Sequence, residues 1–196
     1  MCGWYHSGMN DVPEIFIRTD SKRHYEEMLT RYAMQQQKHA EFFMSVYDNR
    51  PFLNFLECEK YAAPYSVYVI ADDDVIPGHE DTIANLCQKL REHPEVGIMG
   101  LAPQPAYTPD HLQAVSETFK IEELSPRVWK CDYTSGLIAV RHGILKDYGD
   151  RPDNLKGIGD ARILATACRK AGKEVAIWMD DWFYHIGEGK GHYWNA

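Results

Sequence analysis

Short apolar segments alternate along this chain with segments of helical periodicity. Six segments are rich in β-branched and apolar residues and are predicted to be strands. They are residues 14–19, 42–49, 65–71, 96–102, 136–140 and 174–179. The third, "YSVYVIA", is apolar at successive positions, which is typical of a central strand that is buried on both faces.

Three segments between these strands show helical spacing. The first helix follows the N-capping types Asp20 and Ser21, and the second ends at Pro94. The third begins near Asp160 and ends at Gly172. Residues 103–130 contain four prolines without a clear period and are predicted to be irregular. Strands that alternate with helices predict an α/β sandwich around a mostly parallel central sheet.

The length of 196 residues fits a single domain. The sequence contains no apolar run of about 18 residues and no secretory signal, so we expect a soluble, cytoplasmic protein. Five widely spaced cysteines without a CxxC pair indicate neither a disulfide framework nor a structural zinc site. The net charge of −8 argues against a general nucleic-acid binder, and a phosphate-bearing ligand would need a divalent cation or a few placed basic residues.

Three consecutive carboxylates, Asp72, Asp73 and Asp74, follow the predicted central strand. In an extended backbone Asp72 and Asp74 point the same way, so we expect these two to converge and Asp73 to face elsewhere. Two convergent carboxylates at the carboxyl end of a strand suit Mg²⁺ or Mn²⁺ together with phosphate oxygens. The alternative is an acidic turn after a strand, which is common.

Three further segments carry candidate chemistry, each with a structural alternative. Asp160 opens a helix after two glycines, where an aspartate often serves only as a cap. His185 follows an aromatic run and precedes a Gly-rich tail with Lys190, which resembles a mobile lid, although a lone histidine is more often packed. Asp48 follows the second strand, where Asp usually makes a turn.

Taken in order, six stretches of the sequence resemble the GT-A fold of glycosyltransferases, and in particular glycosyltransferase family 2. The stretches are "IFIRTDS", "VYDN", "VIADDDVIP", "TSGLIAVRHGIL", "GIGDARI" and "FYHIGEGKG". The resemblance covers nearly the whole chain and implies a Rossmann-like α/β/α sandwich. It also implies a nucleotide-binding part of about residues 13–102 and an acceptor part of about residues 103–196.

The resemblance implies a role for each matching residue. In a metal-dependent, inverting transfer from a nucleotide-diphosphate sugar, Mn²⁺ or Mg²⁺ would be bound by Asp74, Asp72 and His185. The catalytic base would be Asp160. Six residues would contact the donor: Arg18, Thr19, Asp48, Asp72, Asp73 and Lys190. Among them, Asp72 would contact the ribose or the sugar, and Asp48 would contact the base.

The sequence departs from the family pattern in two places. The second strand ends in "YDN" where the family has "DDGS", and Asp160 is a single acid preceded by glycine where the family has an acidic pair. Two alternatives stay open, a sugar nucleotidyltransferase and a non-catalytic carbohydrate-binding protein with a degenerate transferase fold. The acceptor is also open, and a glycan, a protein, a lipid-linked intermediate or a modified nucleobase would each be compatible with the sequence.

Overall fold

The structure is a computed structural model that describes most of the chain. The described residues are 12–19, 22–47, 51–64, 66–104, 122–134, 136–145 and 160–186, and only the backbone is described for 51–54, 103–104 and 160. None of the helices in these ranges combines the length and hydropathy that a membrane-spanning helix needs.

Nine strands and four helices lie within the described ranges. The strands are β1 (Glu14–Thr19), β2 (Glu41–Tyr47), β3 (Val67–Asp72), β4 (Val75–Pro77), β5 (Val96–Gln104), β6 (Glu122–Ser125), β7 (Val128–Lys130), β8 (Leu137–Arg141) and β9 (Glu174–His185). The helices are α1 (His24–Gln35), α2 (Pro51–Tyr61), α3 (Thr82–Glu92) and α4 (Asp160–Lys170).

All nine strands form one sheet in the order β2-β1-β3-β8-β5-β9-β7-β6, and β4 pairs with β9 outside this path. Strands β2, β1 and β3 are mutually parallel, and β5 is parallel to β9. Strand β8 lies antiparallel between β3 and β5, so the carboxyl ends of β1, β2, β3, β5 and β9 share one edge of the sheet. That edge is where open α/β sheets bind ligands.

Helices cover both faces of the sheet, as the sandwich prediction requires. On one face α2 and α4 pack through Phe55, Cys58, Ile163 and Cys168 against alternate residues of the central strands, such as Tyr68. On the other face α1 and α3 pack through Met34, Ile83, Leu86 and Leu90 against residues that include Val69. The prediction that β3 is buried on both faces is confirmed, because residues 67–71 are all buried.

The structure corrects the expected direction of the strands. The prediction of an α/β sandwich is confirmed, but the sheet is parallel only in part, because β8, β7 and β4 run against their neighbours. An apolar strand such as β8 has the same sequence pattern in either direction. The pattern also missed α2, the short strand β4 and the hairpin of β6 and β7, which lies in the segment predicted to be irregular.

Candidate functional site

The site is assembled at the carboxyl edge of the sheet by the pairing of β1 with β3. These parallel strands are in a register that sets Arg18 opposite Asp72, and each strand ends within one residue of this pair. On the other side of β3, the backbone N–H of Asp72 donates to the carbonyl of Gly136, 2.8 Å away, just before β8. The predicted nucleotide-binding strand, the acidic triplet and the "TSG" stretch therefore meet at one place.

Arg18 holds the carboxylate of Asp72. Its Nε and Nη2 atoms donate to Asp72 Oδ1 over 3.0 and 2.7 Å, and both side chains are largely buried. The guanidinium carbon also lies 4.5 Å from the ring centroid of Phe55 on α2, which fixes the plane of the fork. This charge-assisted pair orients Asp72 firmly.

Asp73 is bound by Thr19 at the end of β1. The hydroxyl of Thr19 donates to Asp73 Oδ2 over 2.8 Å and also lies 3.3 Å from Glu27 Oε2 of α1. Burial raises the pKa of Asp73, the Thr19 hydrogen bond opposes this shift, and the neighbouring charge of Asp74 adds to it. Desolvation therefore makes Asp73 bind a proton more readily than a free aspartate does.

Asp74 is the most buried member of the triplet, with no exposed surface. Its Oδ2 accepts a hydrogen bond from Arg23, while its Oδ1 has no hydrogen-bond partner among the described residues. The Nε2 atom of His185 lies 3.4 Å from that Oδ1. Burial raises the pKa of Asp74, and the charge of His185, followed by that of Arg23, opposes the shift.

Strand β4 brings His185 to Asp74. The chain turns after β3 and returns as β4, which pairs antiparallel with the end of β9 and sets Val75 opposite His185. The N–H of Ile186 then donates to the carbonyl of Asp74 over 2.8 Å. The contact between Asp74 and His185 is therefore set by the backbone pairing of β4 with β9.

The arrangement of the triplet differs from the one expected for an extended chain. Strand β3 ends at Asp72, and residues 73 and 74 form a turn, so side chains no longer alternate. Asp73 and Asp74 therefore share one positively charged neighbour, the guanidinium of Arg23, whereas Asp72 pairs with Arg18. The charge of Asp72 still adds to the raised pKa of Asp74, and the expected convergence of these two carboxylates on one cation stays a prediction.

A divalent cation fits Asp74 and His185 on the chemistry of the donor atoms. A fully buried carboxylate oxygen without a hydrogen bond faces an imidazole nitrogen, and this oxygen–nitrogen pair suits Mn²⁺ better than Mg²⁺, which prefers oxygen alone. Within the described ranges no three His, Cys, Asp or Glu side chains are placed to bind one ion. Asp72 as a further metal ligand stays a prediction.

The remaining predicted residues are only partly described. Asp160 is the first residue of α4, which directly precedes β9 and packs against the sheet. A helix that packs on a sheet and leads into a parallel strand runs antiparallel to that strand, so we expect Asp160 toward the carboxyl edge that carries the triplet. Its side chain is outside the described part of the structure, and so are Asp48 and Lys190 entirely. The roles assigned to these three residues stay predictions.

Sequence reasoning missed the two α1-side residues at this edge, Arg23 and Glu27. Helix α1 begins at His24, so Arg23 takes the N-cap position expected for Asp20 or Ser21, and its side chain makes no capping hydrogen bond. It reaches Asp74 and Asp73. The available signal was a basic residue in the loop after the first strand, at the edge where ligands bind.

Three solved structures share this architecture. TarS from S. aureus matches 88% of this chain with a TM-score of 0.58 and 14% sequence identity, and the match covers 36% of TarS. GalNAc-T7, in a crystal structure with UDP, GalNAc and Mn²⁺, matches 89% of this chain with a TM-score of 0.52 and 12% identity, over 37% of its own length. A197 from STIV matches 88% with a TM-score of 0.50 and 14% identity, over 84% of its length.

No protein-family model matches the sequence, and no curated protein matches it as a relative. The chain spans little more than a third of the length of TarS and of GalNAc-T7. The three structures are GT-A-type glycosyltransferases. At these identities the likeness concerns architecture, and this chain has the GT-A fold.

Proposed function

We propose that this protein is a divalent-cation-dependent, inverting glycosyltransferase that uses a nucleotide-diphosphate sugar. The observation that carries the proposal is the placement of Asp74 and His185, 3.4 Å apart, beside Arg18 and Thr19 at the ligand-binding edge of a GT-A sheet. The UDP, GalNAc and Mn²⁺ in the GalNAc-T7 structure are consistent with a donor and cation of this kind.

In the proposed mechanism each residue of the triplet has a different role. Asp74 and His185 would hold the cation, and Arg18 would orient Asp72 toward the ribose or sugar of the donor. A dication bound there would supply positive charge to neutralise the departing diphosphate. Asp73 is fixed by Thr19 and, like Arg18 and Thr19, lines the donor site.

Asp160 is the proposed catalytic base that acts on the acceptor. As general base it removes the proton of the acceptor hydroxyl, while that oxygen attacks the anomeric carbon opposite the departing diphosphate, which inverts its configuration. Asp48 would contact the base of the nucleotide and Lys190 the phosphates. The position of Asp160 at the start of α4, toward the carboxyl edge, supports this division.

A donor screen followed by product analysis tests the proposal. We expect one nucleotide-diphosphate sugar to raise the unfolding temperature with Mn²⁺ and much less without it, because ligands that bind only the folded state stabilise it. Turnover of that donor should release a nucleoside diphosphate. Release of inorganic pyrophosphate would identify a nucleotidyltransferase instead, and binding without turnover over a range of acceptors would identify a carbohydrate-binding protein.

A further inference from the structure

Arg23 lies beside Asp74 and neutralises the charge of this carboxylate, as a bound cation would do. Its guanidinium donates to Asp74 Oδ2 and lies 3.8 Å from Asp73 Oδ1, so one positive charge serves two neighbouring carboxylates. Arginine keeps its charge at any physiological pH. The two buried carboxylates therefore have a counter-ion that belongs to the protein itself.

The two partners differ in their freedom to move. The side chain of Asp74 is 1% exposed and its carbonyl is tied to Ile186, whereas the side chain of Arg23 is 51% exposed. Arg23 precedes the first turn of α1 and its side chain makes no capping bond. Among the described residues, the side-chain partners of Arg23 are these two carboxylates. A long, half-exposed side chain held in this way can leave its partners without disturbing the fold.

A dication at Asp74 would lie next to this guanidinium and repel it. The anionic diphosphate of a donor would attract the same group, because guanidinium forks match phosphate oxygens well. The same residue thus opposes metal binding in the free protein and favours the diphosphate once the metal is present.

We propose that Arg23 is a resident counter-ion of the metal site, which gives way to the divalent cation and then binds the donor's diphosphate. The inference rests on the proposed function, since it requires that Asp74 binds a cation. Arg23 is then a switch that makes the binding of metal and diphosphate cooperative, because each ligand removes the cost of displacing Arg23 for the other.

The test measures Mn²⁺ alone and inorganic pyrophosphate in saturating Mn²⁺, both by calorimetry on the full chain. We expect Arg23→Gln to bind Mn²⁺ at least about fivefold more tightly and pyrophosphate at least about fivefold more weakly, a change of the size typical of coupled sites. Arg23→Lys, which keeps the charge, should lie between this variant and wild type.

Arg127→Gln is the matched control. Arg127 lies in the turn between β6 and β7, is 54% exposed and pairs with Asp180, so its replacement changes the net charge equally and removes a half-exposed guanidinium away from the triplet. Equal effects of Arg127→Gln and Arg23→Gln would show that only long-range charge is at work and would overturn the inference. Mn²⁺ binding that is unchanged or weaker in Arg23→Gln would also overturn it.

The outcomes separate this inference from the proposed function. If wild type binds Mn²⁺ and pyrophosphate but Arg23→Gln changes neither, the inference alone fails. If neither protein binds Mn²⁺, the metal site of the proposed function and the inference fail together. If only Arg23→Gln binds Mn²⁺, the inference is supported strongly, because the resident charge alone then keeps the metal out.

Discussion

The Nε2 atom of His185 lies 3.4 Å from Oδ1 of Asp74, whose side chain is only 1% exposed. The two residues belong to distant parts of the chain and meet because β4 pairs with the end of β9. A buried carboxylate oxygen that faces an imidazole and has no hydrogen-bond partner among the described residues is costly unless something satisfies it. A divalent cation would do so.

Replacement of Asp74 by Asn should weaken Mn²⁺-dependent binding of a nucleoside diphosphate by at least about tenfold, since a neutral amide is a poor ligand for a hard cation. Burial raises the pKa of Asp74, so the ionised carboxylate lowers the stability of the metal-free fold. The unfolding temperature of metal-free Asp74→Asn should therefore not fall below that of wild type. Calorimetry and thermal unfolding measure the two effects.

Asp180→Asn is a suitable control for this variant. Asp180 lies on β9 and is half exposed, and it pairs with Arg127 of the β6–β7 turn, away from the triplet. It should leave diphosphate binding unchanged. Undiminished Mn²⁺-dependent binding by Asp74→Asn would remove Asp74 from the metal site.

Replacement of Asp160 by Asn should separate donor binding from transfer. The amide keeps the size of the carboxylate but cannot accept the acceptor's proton, so we expect an unchanged donor dissociation constant and a loss of transfer of about 100-fold or more. Donor calorimetry and the rate of nucleoside diphosphate release with acceptor measure these quantities. Full transfer activity would exclude Asp160 as the base.

Gly136 is predicted to tolerate no side chain. Its φ of +84° is left-handed, and an added Cβ would lie 2.5 Å from the ring of Phe183. Gly136→Ala should lower the free energy of unfolding by about 1–2 kcal/mol because of the left-handed backbone, and by about 1–3 kcal/mol more because of overpacking. Gly172→Ala has φ +72° but no atom within 4 Å of the new Cβ, so it should show only the loss that comes from the backbone. Urea unfolding measures both, and equal costs would contradict the close packing.

Buried thiols should make the protein less stable in alkali. Burial raises the pKa of Cys58 and Cys131 to about 12 from 9.0. Above pH 9 the unfolded chain therefore binds fewer protons than the folded one, so the free energy of unfolding falls with rising pH. The slope for each thiol approaches about 1.4 kcal/mol per pH unit once the unfolded thiol is fully ionised. Cys58→Ala should show a shallower fall between pH 9 and 10.5 in urea unfolding. A slope identical to that of wild type would contradict the shift at Cys58.

Most of the fold could be predicted from local patterns. The strand of residues 67–71 and the helical stripe of α3 are apolar at the periods that burial requires, and the structure confirms both. Helix α2 was missed because its apolar residues do not form a clear stripe, and β4 because three residues carry no period. The direction of β8 is set by pairing between distant segments, which its own sequence does not encode.

The site was predictable in composition but not in detail. The triplet lies at a ligand-binding edge because a buried strand ends there, and this was visible in the sequence. The pairing of side chains was not visible, because it depends on where the strand ends, which is Asp72, and on the turn that begins at Asp73. Arg23 and Glu27 join the site only through the packing of α1 beside β1.

Anomalous diffraction at the manganese edge, from crystals soaked with Mn²⁺ and a nucleoside diphosphate, tests the proposed metal site most directly. We predict one strong peak within bonding distance of a carboxylate oxygen of Asp74 and of Nε2 of His185, bridged to the diphosphate, with the Arg23 side chain moved from Asp74. Manganese and diphosphate bound elsewhere, with Arg23 still on Asp74, would contradict it.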